Sequence, residues 1–232
     1  MLDWLLAFYL LIIMPCTQMW RSFHQKDKPV LARTAGYRKF AGKMLILLAV
    51  LGVSCWQAGR GPAALGLDIP LSTAGAWGLV ATVILLVAIF VGNKWFTSRL
   101  DNAKRQDLSE KIRANDKMPR SGRELAAFLP MVILIGAGWE LLYRGFLLLL
   151  LTPVVGAAVA IILSALAYGI GHGYEKKSQF IGSIVSAFLF TLAFYFTQSL
   201  WWLILLHIGL PLFGAISVVA AYRVENPAGA EI

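Results

Sequence analysis

The sequence predicts an all-α protein, a polytopic membrane helical bundle with about seven transmembrane helices. Of its 232 residues, 59% are hydrophobic and 14% are charged, whereas charged residues make up roughly 25% of a soluble domain. The apolar residues are grouped in runs close to the roughly 20 residues that a helix needs to cross a bilayer. Lysine and arginine are concentrated between these runs. This composition excludes a water-soluble globule, a disordered chain and a coiled coil.

Seven apolar runs are the predicted spans. They cover residues 3–20, 43–57, 76–96, 126–151, 154–173, 179–198 and 200–221. The first 20 residues contain no lysine or arginine, so we expect a retained span there and not a signal peptide. We expect amino-terminal spans with basic loops over 1–124, a core over 125–221 and a tail over 222–232. No internal repeat is visible, which argues against a transporter or channel built from matched halves.

Basic residues predict the orientation of these spans. If the chain changes sides at each span, 19 of the 21 lysines and arginines lie on one side, Arg60 lies on the other, and Arg144 lies inside a span. Because cytoplasmic loops are enriched in basic residues, we expect a multi-pass cell-membrane protein with its amino terminus outside and its carboxyl terminus cytoplasmic. The net charge of +9 therefore reflects topology, and no nucleic-acid partner is expected. The basic loop over 94–123 forms either an interfacial helix or a solvated linker.

Several common catalytic and metal-binding motifs are missing from the sequence. It contains no His-Glu-x-x-His, Gly-x-Ser-x-Gly, P-loop or Rossmann glycine motif. The two cysteines, Cys16 and Cys55, lie inside apolar runs, which argues against a disulfide framework and against paired cysteine ligands for zinc. Any chemistry must therefore come from the polar residues within the spans.

Four ionisable residues interrupt the carboxyl-terminal spans. Glu140 and Arg144 lie four positions apart, so on a helix they share a face and can pair. His172 follows Tyr168 by four positions, and His207 lies in the last span with no polar neighbour in its own helix. Because an ionisable group in hydrocarbon is costly unless it is paired or faces a cavity, these are candidate site residues. The alternatives are an ion pair that only fixes helix packing and histidines that only hydrogen-bond between helices.

We expect Glu140, His172 and His207 to line one cavity within about 10 Å of each other, a distance that one or two waters bridge. If the fourth span begins at Pro130, Glu140 lies about 15 Å from its cytoplasmic end. His172 lies nearer the cytoplasmic surface. The three residues therefore meet only if the fifth span tilts or breaks at the glycines beside His172.

These residues, in this order, resemble the CAAX prenyl protease and bacteriocin-processing family, called CPBP or Abi. The family motifs are Glu-Glu-x-x-x-Arg, Phe-x-x-x-His and His-x-x-x-Asn or Asp, and the resemblance covers about residues 125–215. The matching residues, in motif order, are Glu140, Arg144, Tyr168, His172 and His207. Trp139 stands in place of the first glutamate, and Pro211 stands in place of the Asn or Asp. Proline has no N–H, so it leaves the His207 carbonyl free to accept a hydrogen bond.

The resemblance implies an intramembrane endopeptidase, a hydrolase that acts on membrane-associated or prenylated peptides within the lipid bilayer. It implies catalytic roles for Glu140, Arg144, His172 and His207, with Tyr168 in a substrate-binding or supporting position. In this interpretation Glu140 orients or deprotonates water, and the two histidines hold the water or donate to the oxyanion. Glutamate chemistry requires no cofactor; zinc held by Glu140, His172 and His207 is the alternative. The other functional alternative is a catalytically silent relative that binds a peptide or lipid as an immunity or scaffold protein.

Overall fold

The computed structural model describes residues 1–24, 32–113, 115, 117–172 and 177–225. These residues form eight helices and no β-strand, which confirms the all-α prediction. The helices are α1 (Leu2–Phe23), α2 (Arg33–Gln57), α3 (Thr73–Ser98), α4 (Asn102–Arg113), α5 (Gly122–Val155), α6 (Ala157–Gly171), α7 (Lys177–Thr197) and α8 (Trp201–Glu225). Two helices contain a π-helical stretch, Tyr9–Ile13 in α1 and Glu140–Leu147 in α5.

Six helices in the described part of the chain are long and apolar enough to cross a membrane, namely all except α4 and α6. This confirms the multi-pass helical bundle. The second predicted span, at 43–57, is part of a 25-residue helix because α2 already begins at Arg33. Within the basic loop at 94–123, α4 is a helix of 12 residues, so the loop is not linker throughout.

The fifth predicted span, 154–173, is wrong as a full-length span. α6 has 15 residues, or about 22 Å of helix, against a hydrocarbon core of roughly 30 Å. The preceding helix takes up the missing residues, because α5 continues to Val155. Gly156 ends it with a φ of 78°, a conformation that glycine adopts without strain. α5 and α6 therefore form a hairpin that turns at Gly156.

α5 begins at Gly122, before the predicted span at 126–151 and before Pro130. The Ser121 hydroxyl accepts a hydrogen bond from the Glu124 N–H at 3.2 Å, and the Glu124 carboxylate accepts one from the Arg120 N–H at 2.8 Å. These bonds satisfy N–H groups that a helix start leaves without intrahelical partners. Pro130 lies inside the helix, so the depth of Glu140 counted from a start at Pro130 does not apply: the cap sets the boundary.

Polar contacts mark two ends of the bundle, which we call the loop end, where residues 58–72 lie, and the basic end, where residues 94–123 lie. At the loop end, the Asp3 carboxylate contacts the Arg60 guanidinium at 2.6 Å. At the basic end, Arg33 pairs with Glu124 at 2.9 Å. The starts of α1 and α2 are therefore at opposite ends, as alternating spans require.

The last helix connects the same two ends. At its start, Trp201 Nε1 donates to the Asp68 carbonyl at 3.0 Å in the loop of the loop end. Near its other terminus, the Tyr222 hydroxyl donates to the Arg113 carbonyl at 3.3 Å, at the end of α4. α1 thus starts at the loop end and α8 finishes at the basic end.

Exposed tryptophans lie near both ends of the bundle. Trp4, Trp56 and Trp77 lie near the loop end, and Trp20 and Trp95 lie near the basic end. Tryptophan is enriched at both interfaces of a membrane, so these side chains mark the two levels at which the helices leave the hydrocarbon.

The loop of the loop end folds back onto the core. The Leu200 N–H donates to the Gly66 carbonyl at 2.7 Å, and Leu65 is buried. Gly145 of α5 faces this loop, and a Cβ there would lie 2.7 Å from the Leu65 carbonyl oxygen. Glycine at position 145 therefore allows the loop backbone to close the core directly beside Arg144.

Candidate active site

Glu140 and Arg144 lie in the π-helical stretch of α5, at the centre of the bundle. Their side chains are 2% and 1% exposed, and Arg144 Nη1 pairs with Glu140 Oε2. The predicted pairing is present, although the backbone is π-helical where an α-helix was expected. A buried ion pair offsets its lost hydration only when further hydrogen bonds satisfy the charges. The other Glu140 oxygen accepts such bonds.

His207 is the second partner of Glu140. Its Nδ1 lies 2.8 Å from Glu140 Oε1, so the partner predicted to come from another helix is this carboxylate on α5. The Tyr168 hydroxyl lies 3.1 Å from the same Nδ1 and 3.4 Å from Glu140 Oε1. The Tyr168 ring also lies against Arg144, with 4.2 Å between the guanidinium carbon and the ring centroid. One network therefore joins α5, α6 and α8.

The partners of His207 indicate which ring nitrogen carries its proton. A carboxylate only accepts hydrogen bonds, so Nδ1 donates to Glu140 and Nε2 keeps a free lone pair. This is the arrangement in which a carboxylate orients an imidazole and stabilises it once it becomes protonated. His207 is 20% exposed, so it is more accessible than Glu140.

His172 lies beside this pair, just after the last residue of α6. Its ring centroid is 5.7 Å from that of His207, and its Nδ1 is 3.2 Å from the Tyr168 carbonyl oxygen. Since a carbonyl only accepts, Nδ1 donates and Nε2 is again the free acceptor. His172 is exposed, in contrast to Glu140. The structure thus brings Glu140, His172 and His207 to one place.

The α5–α6 hairpin explains why residues with different expected depths meet. Glu140 lies 16 positions before Gly156, and His172 lies 16 positions after it, so the two are about equally far from the turn. Gly173 lies outside the described residues. α6 continues through Gly169 to Gly171, so it does not break at these two glycines, which was one of the two expected alternatives. Instead they allow close packing: a Cβ at Gly169 would lie 2.9 Å from Ile184 Cα, and one at Gly171 would lie 3.3 Å from the Trp139 ring.

Trp139 makes one wall of the site. The ring is buried and stacks on Tyr143 with centroids 5.1 Å apart and planes 17° apart. It contacts His172 at 4.8 Å and meets Tyr168 edge-on at 5.5 Å. Where the resemblance would place a carboxylate, this chain therefore has an aromatic surface against the exposed histidine.

Sequence reasoning missed Tyr143, which is fully buried within this aromatic wall. The signal available was its spacing, since Trp139 and Tyr143 are four positions apart and stack in the structure. Pro211 lies inside α8, and its effect on the His207 carbonyl stays a prediction.

The described residues do not form a zinc set. Nowhere in that part of the chain is a group of three or more His, Cys, Asp or Glu side chains arranged to hold a metal ion. Glu140 presents one oxygen to Arg144 and the other to His207.

Comparison with known families matches the part of the chain that carries the site. Residues 121–213 match the family described as type II CAAX prenyl endopeptidase Rce1-like, which is a family of proteases. No curated protein and no solved structure matches the chain at a significant level. The matched segment contains the whole Glu140, Arg144, Tyr168, His172 and His207 network. Residues 121–213 therefore match the family that their motifs predicted, the CAAX prenyl protease and bacteriocin-processing family.

Proposed function

We propose that this chain is an intramembrane endopeptidase that hydrolyses a peptide bond in a membrane-associated or prenylated peptide. The observation that carries the proposal is the 2.8 Å contact between His207 Nδ1 and the buried Glu140 carboxylate, with His172 alongside. The family match supports a CAAX-type protease. No metal or cofactor takes part in the mechanism that we derive.

His207, rather than Glu140, is the base in this proposal. Glu140 is almost completely buried, and both of its oxygens already have partners. His207 is more accessible, its Nε2 is free, and the carboxylate behind it stabilises the imidazolium that forms when it takes a proton. Arg144 and Tyr168 hold that carboxylate in place.

The two free Nε2 atoms hold the attacking water between them. Water donates one hydrogen to His207 Nε2 and the other to His172 Nε2, which leaves an oxygen lone pair directed at the scissile carbonyl carbon. As the oxygen attacks, His207 takes the first proton. It then passes this proton to the leaving nitrogen as the C–N bond breaks, giving a carboxylic acid and an amine. Trp139 packs on His172 and limits its movement.

A cleavage assay tests this proposal. The full-length chain in liposomes is given a prenylated peptide with a short carboxyl-terminal extension, and the released extension is quantified. Replacing His207 by Ala removes the base and should lower turnover about 10²–10⁴-fold. His24→Ala is the matched control, because His24 is exposed at the end of α1 and stacks on Trp20; its turnover should equal that of the unmodified chain.

Two outcomes contradict the proposal. Equal turnover in His207→Ala and His24→Ala would remove the base assigned here. No cleavage by the natural chain, followed by clear cleavage after Trp139→Glu, would identify a silent relative that binds a peptide or lipid.

We further propose that the basic end faces the cytoplasm of the cell membrane. The support is the concentration of lysine and arginine in the loops at 21–43 and 94–123. A reporter inserted at Gly61, which is exposed in the loop of the loop end, should be extracytoplasmic and one at residue 110 cytoplasmic. A membrane-impermeant label applied to intact cells distinguishes the two sides. Labelling of both reporters from the same side would contradict this orientation.

A further inference from the structure

The first helix contacts a buried hydroxyl group at the candidate site. The Tyr143 hydroxyl donates to the Leu10 carbonyl at 3.0 Å, and both residues are fully buried. Met14 Sδ lies 3.6 Å from the same hydroxyl. Leu10 and Met14 lie outside the family match at 121–213. The first helix therefore adds a contact to the site from outside the matched segment.

Both ends of this hydrogen bond lie in π-helical stretches. Leu10 lies in the stretch Tyr9–Ile13, and Tyr143 lies in Glu140–Leu147. In a π-helix the hydrogen bonds run from i to i+5, and where it meets α-helix the regular ladder is interrupted, which makes backbone carbonyls available to outside donors. The Tyr143 carbonyl is used in the same way, since it accepts a bond from the Ser164 hydroxyl of α6 at 2.6 Å.

Tyr143 is thus fixed at both ends while its ring touches the site. The hydroxyl is held by α1 and the backbone carbonyl by α6. Between them the ring stacks on Trp139 at 5.1 Å and meets Tyr168 edge-on at 5.5 Å. Trp139 in turn packs on His172 at 4.8 Å. A shift of the Tyr143 ring would therefore move the Trp139 ring that packs on His172. It would also move the Tyr168 ring and its hydroxyl.

We propose that Tyr143 is a positioning residue through which α1 completes the site: its bond to the Leu10 carbonyl fixes the Trp139 ring against His172. The consequence for turnover rests on the proposed function, whereas the consequence for His172 does not. Tyr143 takes no part in bond making or breaking in this proposal, because its hydroxyl hydrogen is donated to the Leu10 carbonyl of α1.

The test compares two tyrosines that make the same bond in different places. Tyr143→Phe removes the hydroxyl at the site. Tyr37→Phe is the matched control, because Tyr37 is also buried and its hydroxyl donates to the Lys117 carbonyl at 3.0 Å, at the basic end of the bundle. Each variant loses one hydrogen bond from a buried tyrosine to a backbone carbonyl, so a merely structural role predicts equal effects.

Two measurements are made on both full-length variants. The first is the rate at which diethyl pyrocarbonate modifies His172, read residue by residue by mass spectrometry. We expect at least a 2-fold faster modification in Tyr143→Phe, because the ring behind His172 is no longer fixed, and no change in Tyr37→Phe. The second is turnover: in Tyr143→Phe kcat should fall about 3- to 10-fold, the worth of one hydrogen bond, with KM unchanged.

The outcomes separate this proposal from the proposed function. An unchanged rate at His172 in Tyr143→Phe, or the same increase in both variants, overturns the positioning role. A faster rate with unchanged kcat also overturns it. If the natural chain has no turnover, the proposed function fails, and the modification rates alone decide the positioning role. If Tyr143→Phe does not fold, Ser164→Ala removes the other tie and should give the same faster modification of His172; an unchanged rate there overturns the proposal.

Discussion

Two glutamates on α5 each pair with an arginine, in very different surroundings. Glu124, in the first turn, is 22% exposed and contacts Arg33 at 2.9 Å. Glu140, 16 positions later, is 2% exposed and contacts Arg144. The same two residue types thus form a partly hydrated pair at the basic end and a buried pair at the centre.

Each glutamate also has a partner besides its arginine, and this third partner distinguishes the two pairs further. The other contact of Glu124 is the backbone N–H of Arg120 at 2.8 Å, which fixes the start of the helix. Glu140 also contacts His207 and the Tyr168 hydroxyl, and an imidazole is a side chain that can act as a general base. Burial and the third partner, rather than the Glu–Arg pair itself, therefore indicate where chemistry is expected.

Replacing each glutamate by glutamine should give the largest difference between the pairs. Glu140→Gln keeps the size but removes the charge that supports the His207 imidazolium, so turnover should fall about 10²–10⁴-fold. The turnover of Glu124→Gln should stay within about 2-fold of that of the natural chain, because losing a partly exposed ion pair costs at most about 1 kcal/mol. The cleavage assay measures both. Equal losses of turnover in the two variants would show that turnover depends on either ion pair of α5 and not on the Glu140 charge in particular.

Removing each arginine should lower the free energy of unfolding by different amounts in the two pairs. Arg144→Ala leaves the Glu140 charge buried with fewer partners and should lower the free energy of unfolding by about 3–5 kcal/mol. Arg33→Ala should lower it by about 0–1 kcal/mol, since water screens that pair. Denaturant titration of the two proteins in micelles measures the difference. The double variant Arg144→Ala with Glu140→Gln should recover part of the loss, and no recovery would contradict an effect of buried charge.

A smaller effect is expected from the hydroxyl that supports Glu140. Tyr168→Phe keeps the ring against Arg144 but removes the group that lies 3.4 Å from Glu140 Oε1 and 3.1 Å from His207 Nδ1. Turnover should fall about 3- to 10-fold, the worth of one hydrogen bond. Tyr222→Phe is the control, because its hydroxyl bonds a carbonyl at the basic end. A loss of the same size in the control would assign the effect to packing.

Much of the bundle was predictable because the hydropathy of a segment directly reflects whether the segment lies in lipid or in water. Hydropathy predicted six helices well, and ionisable residues in apolar runs predicted Glu140, His172 and His207 as a group. The length of α6 was not predictable, since all of 154–173 is apolar and only the φ of Gly156 divides it.

The π-helical stretches were also beyond the sequence, because their hydrogen-bond pattern has no distinct residue signature. The contact of Tyr143 with Leu10 joins positions 133 apart, and no periodic pattern connects such distant positions. The base proposed here, His207 rather than Glu140, likewise depends on burial and on which carboxylate oxygen faces which partner. These are properties of the packed bundle.

The smallest effect is expected at a third carboxylate, Asp68, which is held by backbone rather than by an arginine. Its Oδ2 accepts from the Ser72 N–H at 2.7 Å, just before α3 begins. Burial raises the pKa of Asp68, but the hydrogen bond from the Ser72 N–H and the nearby Ser199 hydroxyl outweigh it and lower the pKa below its usual range.

Because the pKa of Asp68 is lower in the folded chain, its charge stabilises the fold at neutral pH, and this contribution is lost as the pH falls through the lowered pKa. Asp68→Asn keeps an acceptor but no charge, so it should unfold at a slightly lower denaturant concentration than the natural chain at pH 7. The two midpoints should approach each other as the pH falls below the usual pKa of about 3.9 for aspartate. A difference between the midpoints that is constant from pH 7 to pH 3 would mean that the geometry of the Asp68 contact, and not its charge, stabilises the loop end.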